Sequence, residues 1–428
     1  MSKMMKIIGA VALINIVARL VGFLREMVIG KQFGVSAAAD AIATAYTIPN
    51  FIYLVLGGGL TTAFISVYHS AKTDKAVFVR RMFTSVLMAA TTITVLAVIF
   101  AEPLLQLAFL NRLTPEQFEL AYPIFLWMMP STVILVLSTW LSGLLNLNDK
   151  FKLSSIAILV YNAAFVIISA PLVPWYGPTA YGIGALLSAM LMGIFLFAGI
   201  KRSKLYSLKP ALGKSEDVKR VWIIALPILL GGASMQFYAF IHRVAASGLT
   251  EGAISAVNYA SKLSNFPQAI MMTAVTTVIY PMLSRKEGEG DHETIKKLYK
   301  KGMLMLAAMI APATAVAYFF AEPLVRLIFE RGEFDNASVL ITVPIFKVFA
   351  LSMFFLAANT YVTRFYYAKG NSILPVIFSL ISVLGINLAI IYWLIDSMGA
   401  TAIAYGTVIS SAINLLMLVI YARVKWKL

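Results

Sequence analysis

Eight charged residues lie within or at the edges of long apolar runs: Arg19, Arg25, Glu26, Asp40, Arg243, Lys262, Lys347 and Arg364. Six of the eight are basic and two are acidic. Insertion scales put a charge at the centre of a spanning helix at about 2.5–3.5 kcal/mol, so four basic residues left over after pairing would cost on the order of 10–14 kcal/mol if they faced lipid. The economical arrangement turns them toward a water-filled cavity with positive walls, whose ligand is an anion. Phosphate suits such walls, because guanidinium binds it through paired hydrogen bonds. Arg19, Arg25, Glu26, Asp40, Arg243, Lys262 and Lys347 are therefore the candidate substrate-binding residues. For Arg25, Arg243 and Arg364 the alternative is a side chain snorkelling to an interface, and for Asp40 it is a helix N-cap.

Spacing adds detail. Asn15, Arg19, Gly22 and Glu26 recur at intervals of four, three and four and share one helix face. Glu26 is read either as the structural partner of Arg19 or Arg25 or as a protonatable switch. His242 is a candidate for proton-linked coupling, since histidine titrates near physiological pH; the alternative is a polar wall residue. Three observations argue against catalysis. His69, His242 and His292 are scattered, no HExxH or nucleophile elbow occurs, and the GKS at 213–215 has Leu208 where a Walker motif needs glycine. No nucleotide, cofactor or metal is expected, and the chain reads as a transporter rather than an enzyme.

The elements that must position these residues are membrane spans. Of 428 residues, 60% are hydrophobic and only 13% charged, and the mean hydropathy is +0.85. A soluble domain carries about a quarter of its residues charged, so cytosolic enzymes and, with no cysteine present, disulfide scaffolds are excluded. The net charge of +16 does not point to nucleic acid, because most basic residues fall in short loops. Apolar stretches begin near residues 7, 40, 82, 119, 153, 179, 221, 252, 302, 337, 371 and 398, which predicts an all-α polytopic membrane protein of twelve helices. The first run continues to Gly30 without a small-residue cleavage site and is read as an uncleaved span. The loop 201–220, KRSKLYSLKPALGKSEDVKR, holds seven basic residues and PLVPWYGP at 171–178 holds none, so both termini are expected in the cytoplasm.

The chain also repeats itself. AEPLLQLAF at 101–109 returns as AEPLVRLIF at 321–329, PIF at 123–125 at 344–346, and AYG at 180–182 at 404–406, with offsets of 220, 221 and 224. Two six-helix repeats follow, expected as a bundle over 1–200, a basic cytoplasmic linker over 201–220 and a second bundle over 221–428, around a central cavity. Such repeats bind substrate between the halves and alternate access by rocking. Gly57, Gly58 and Gly59 after Pro49, and Pro227 with Gly231 and Gly232, suit either gating bends or close helix packing. Trp175, Tyr176, Tyr392 and Trp393 read as an interfacial belt.

At these residues the sequence resembles a known family. ARLVGFLREMVIGKQFG at 18–34, AAADAIATAYTIPNF at 37–51, TTAFISVYHS at 61–70, NYASKLSNFPQAI at 258–270, YPMLSR ending at Arg285, LIFERGEFD at 327–335 and TRFYYAKGNSILPVIFSLIS at 363–382 are similar to the MurJ/MviN lipid II flippases of the multidrug/oligosaccharidyl-lipid/polysaccharide exporter superfamily. The resemblance implies a flippase of the bacterial cytoplasmic membrane carrying an undecaprenyl-diphosphate-linked sugar precursor to the outer leaflet. Membrane lipids and cell-wall synthesis enzymes are its implied neighbours. It places the family's cavity arginines on Arg19 and Arg25, its acids on Glu26 and Asp40, and its eighth-span basic residue on Lys262.

Three departures go with it. Tyr53, Leu54 and Gly58 stand near the places of a family arginine and glutamate. His242 and Ile391 stand where sodium-binding members carry aspartates, although Asn387 remains, so sodium coupling is not implied. Twelve spans are counted where typical members have fourteen. Lipid II is the favoured cargo. The alternatives are another undecaprenyl-diphosphate oligosaccharide, such as a capsule, exopolysaccharide or teichoic-type unit; a cation-coupled drug exporter of the same superfamily, against which the basic excess argues; or a membrane scaffold working through the loops 201–220 and 285–301.

Overall fold

A computed structural model describes residues 3–427, with side chains described outside 3–8, 230–235, 273–278, 280, 281 and 284. Gly231 and Gly232 of the seventh-span bend lie outside the described side-chain positions. Among the described residues the regular structure is helical, with no strand. The twelve spans are Lys3–Phe33, Ala37–Tyr68, Lys75–Ile99, Pro115–Leu147, Phe151–Tyr176, Ala180–Arg202, Glu216–Ala246, Ala253–Gly288, His292–Phe319, Asn336–Ala368, Ile373–Met398 and Thr401–Trp426. Eight helical segments have the length and apolarity to cross a bilayer, and the one at Phe151–Arg202 contains two spans. The first, seventh and eighth spans carry Arg19, Arg25, Glu26, His242, Arg243 and Lys262.

Several helices start before their apolar runs do, and caps explain why. The third span begins at Lys75, not near 82, because the Asp74 carboxylate accepts from the Ala76 and Val77 N–H groups. The ninth begins at His292 under Asp291, which accepts from Thr294 N–H. A short polar carboxylate at the N-cap satisfies donors that the first turn leaves open, so the helix extends beyond the lipid-facing stretch.

The duplication reaches down to backbone detail. The two AEPL segments each form a separate short helix, Ala101–Ala108 and Ala321–Phe329. Thr114 caps the fourth span and Asp335 caps the tenth. Gly177 closes the fifth span at φ 53°, ψ −141°, and Gly399 closes the eleventh at φ 54°, ψ −137°, a region open chiefly to glycine. Trp175, Tyr176, Tyr392 and Trp393, near those two ends, are all more than half exposed.

Contacts divide the chain into two units, one of residues up to Ile29 together with Ala37–Gln236, the other of Gly30–Ser36 together with Phe237–Leu428. In the first unit the segment 203–215 is tied to the second and third spans. Thr84 Oγ1 accepts from Ala211 N–H at 2.8 Å, Arg80 and Arg81 donate to the Lys209 and Lys214 carbonyls at 3.1 and 3.0 Å, and the hydroxyls of Tyr68 and Tyr206 are hydrogen-bonded. The serine of the GKS triplet accepts from Val218 N–H at the start of the seventh span. The carboxylate of Asp217 takes Thr73 Oγ1–H at 2.6 Å and Thr73 N–H at 2.9 Å, and these bonds hold its pKa below the ordinary carboxylate value.

In the second unit the end of the first span is built in by backbone contact. Lys31 O accepts from Glu333 N–H at 2.9 Å and Gly34 O from the Tyr259 hydroxyl at 3.1 Å. Tyr259, Phe329 and Phe334 enclose Gly30 in a triangle of rings with centroids 5.3–5.6 Å apart.

Candidate functional site

In the first unit Arg25 is enclosed by a carboxylate and two aromatic rings. Its guanidinium pairs with Glu26 Oε1 at 2.8 Å and lies 5.0 Å from the Tyr46 ring centroid and 5.1 Å from that of Phe165. Helix geometry brings these groups together: Tyr46 projects from the second span and Phe165 from the fifth. The fifth span is seated on the first by Asn162, whose Nδ2 donates to Ala18 O at 3.0 Å beside Gly22. Glu26 is 4% exposed. The charge is thus neutralised by an adjacent acid and stabilised on both ring faces. Arg19, one residue past buried Ala18, is exposed, and it makes no hydrogen bond or ion pair among the described residues.

Asp40 lies in the first turn of the second span and is fully buried. Because that helix starts at Ala37, Asp40 is inside the helix rather than at its N-cap. Its Oδ2 accepts from Gln117 Nε2 at 3.1 Å. Sequence reasoning did not single out Gln117, Tyr46 or Phe165. The one available signal for Gln117 was the TPEQ pattern of a capping box, which explains the helix start and not the contact with Asp40.

In the second unit His242 is 7% exposed, and its Nε2 is 2.8 Å from Thr407 Oγ1 of the twelfth span. Its ring is flanked by Tyr238 and Phe349, at 6.0 and 5.4 Å between centroids. Arg243, equally buried, donates to Asn258 Oδ1 of the eighth span at 3.2 Å. Lys262 and Lys347 are half-buried, on the eighth and tenth spans. Asn387 is fully buried at the end of a π-helical turn, Ile381–Asn387. Arg364, also half-buried, lies 5.9 Å from the Tyr367 ring. Among the described residues no group of three or more His, Asp or Glu is arranged to hold a metal ion.

Glycines separate packing from free backbone. A Cβ at Gly59 would stand 2.5 Å from Leu229 and one at Gly57 3.2 Å from Thr139, whereas Gly58 has open space. The second span is π-helical over Tyr53–Gly57, immediately before this triplet.

Twelve spans in two six-helix repeats, with basic residues half-buried or buried on several of them, define a multi-pass membrane protein. The family model for the lipid II flippase MurJ matches residues 29–428, and the chain belongs to that family. It is 26% identical over 416 residues to a probable lipid II flippase MurJ of Bdellovibrio bacteriovorus, covering 94% of this chain and 79% of that one. Its fold is similar to a solved lipid II flippase MurJ in an inward closed conformation, with a TM-score of 0.85 and 22% identity over 96% of this chain and 87% of the other. It is also similar to an inward-facing multidrug resistance MATE family transporter of the MOP superfamily, with a TM-score of 0.79 and 15% identity over 97% and 98% of the two chains.

Proposed function

We propose that this chain carries lipid II from the inner to the outer leaflet of the bacterial cytoplasmic membrane by alternating access between its two six-helix repeats. It is a transporter and not an enzyme, so the work to be explained is recognition and gating. The observation that carries the reading is the family match across almost the whole chain.

The basic residues Arg19, Arg25, Arg243, Lys262 and Lys347 receive the diphosphate, while Glu26 and Asp40 hold their neighbours in place between cargoes. Arg25 is suited to this work because two rings flank its guanidinium and a carboxylate occupies a position a phosphate oxygen could take. Incoming diphosphate exchanges with Glu26 for that edge. Both termini and the 201–220 segment face the cytoplasm, following the distribution of basic residues. Cell-wall synthesis enzymes would meet the protein at that face. His242 couples transport to protons, with Asn387 in the same unit supporting it.

Complementation of a strain depleted of its lipid II flippase, paired with a leaflet-specific assay of precursor, tests the reading. Rescue by the intact chain and loss of rescue in Arg25→Ala and Lys262→Ala are expected. Undiminished translocation in both variants would overturn the assignment of the binding residues, and failure of the intact chain to rescue would overturn the choice of lipid II as cargo.

A further inference from the structure

Tyr161 of the fifth span is 8% exposed, and its hydroxyl is buried without a hydrogen-bond partner among the described residues. A polar group left in this condition lowers stability. The other hydroxyls so placed in the first unit belong to serine and threonine, whose short side chains can turn onto a carbonyl of their own helix. A phenol cannot, because a rigid ring holds its hydroxyl away from the backbone.

Its surroundings supply a reason for keeping it. Tyr161 stands one helical turn before Phe165, with ring centroids 6.1 Å apart, and Phe165 lies 5.1 Å from the Arg25 guanidinium. The Tyr161 hydroxyl interacts electrostatically with Arg25, Tyr46 and Tyr53. All three are half-buried, and Arg25 keeps 12% of its side chain exposed. Tyr161 therefore borders the accessible edge of the Arg25 site. Its register there is fixed by the next residue, Asn162, which donates to Ala18 O of the first span.

A hydroxyl beside a guanidinium turns its oxygen toward the charge and its O–H away, and a guanidinium has no lone pair to receive that proton. The donor is left for an acceptor that Arg25 itself brings in. We infer that Tyr161 is a binding residue for the diphosphate, its hydroxyl donating to a phosphoryl oxygen of the cargo held by Arg25, an inference that rests on the reading of Arg25 as a diphosphate residue. Ionised phosphoryl oxygens accept hydrogen bonds and donate none, and a donor paired with them makes a stronger bond than it makes with a neutral acceptor. A phenol adds this contact without burying a second cation, whose desolvation would be costly.

The test titrates the full chain in detergent with lipid II and with undecaprenyl diphosphate, which has the phosphates and no sugar. Tyr161→Phe removes the hydroxyl and keeps the ring. Affinity for both ligands is expected to fall by the same factor, roughly tenfold, as for one hydrogen bond to a charged group. The thermal midpoint of the unliganded variant should equal or exceed that of the parent, because an unmet hydroxyl has gone. A midpoint that falls with the affinity would make the hydroxyl structural and overturn the inference. So would a loss confined to lipid II, which would move the contact to the sugar or peptide. The double variant Arg25→Gln, Glu26→Gln removes both charges of the buried pair and separates the two readings. Weakened binding there, with unchanged affinity in Tyr161→Phe, would overturn the role of Tyr161 and leave Arg25 in place. Unchanged binding in the double variant would overturn the diphosphate reading of Arg25, and the role of Tyr161 with it, whatever Tyr161→Phe shows.

Discussion

Gln117 holds Asp40 with an amide that has no freedom to turn. Its Oε1 accepts from Thr114 N–H at 3.1 Å in the capping box of the fourth span, so its Nε2 is the atom that reaches Asp40 Oδ2, also at 3.1 Å. An amide that flipped would set two acceptors against each other and lose both bonds. Helix capping at the start of the fourth span therefore fixes a donor for the buried acid of the second.

Gln117→Glu keeps the acceptor for Thr114 and replaces the donor with a second carboxylate. Flipping is expected to fall roughly tenfold at neutral pH, about 1.4 kcal/mol, and to recover as the pH is lowered, because two facing carboxylates come to share a proton and regain a donor. A rate-versus-pH profile in vesicles checks this; a profile unchanged from the parent would remove Gln117 from any positioning role.

The two rings beside Arg25 make lysine a poor substitute. Arg25→Lys loses the delocalised cation that lies 5.0 and 5.1 Å from the Tyr46 and Phe165 ring centroids, and we expect precursor binding to weaken by roughly 1–2 kcal/mol. Tyr46→Phe should retain most of the affinity and Tyr46→Ala should not. Equal affinities for the two Tyr46 variants, measured by titration with lipid II in detergent, would count against a role for the ring face.

Thr73 and Asp217 make stability pH-dependent at the membrane surface. The Asp217 carboxylate titrates below its unfolded value of about 3.9, so its contribution is fully present above that value and is lost as the pH falls through the lower folded pKa. Asp217→Asn should cost roughly 1–3 kcal/mol at pH 7, and the difference from the parent should shrink below about pH 4. Thermal denaturation across that range is the measurement, and a difference constant with pH would contradict it.

The glycine triplet of the second span should divide sharply. Gly58→Ala has open space and should leave stability unchanged or raise it by about 0.5–1 kcal/mol. Gly59→Ala must displace Leu229 and should cost about 1–3 kcal/mol. Similar midpoints for the two variants would mean that the Leu229 contact is not held in the working protein. If Gly58→Ala proves stable and yet slow to flip lipid II, the triplet's freedom to bend is part of transport.

Twelve spans and their duplication were legible in the sequence, as was the presence of charged residues within the apolar runs. Each rests on a local physical rule: hydrocarbon thickness sets the length of an apolar run, and charge in lipid is costly wherever it occurs. The cost of charge singled out Arg25, Glu26 and Asp40, and the titration range of histidine singled out His242, without saying what they touch. Their partners Tyr46, Phe165, Gln117 and Thr407 are ordinary residue types on other helices, up to 165 residues away in the case of His242 and Thr407, and no local pattern links them. Tertiary structure also decided that Gly30–Ser36 belongs with the second unit. That outcome depends on Gly34 adopting φ 58° where a Cβ would stand 2.2 Å from Glu333 O, a close approach of two backbones distant in sequence. Hydropathy and charge act residue by residue and can be read along a chain; complementarity between side chains exists only once helices have packed.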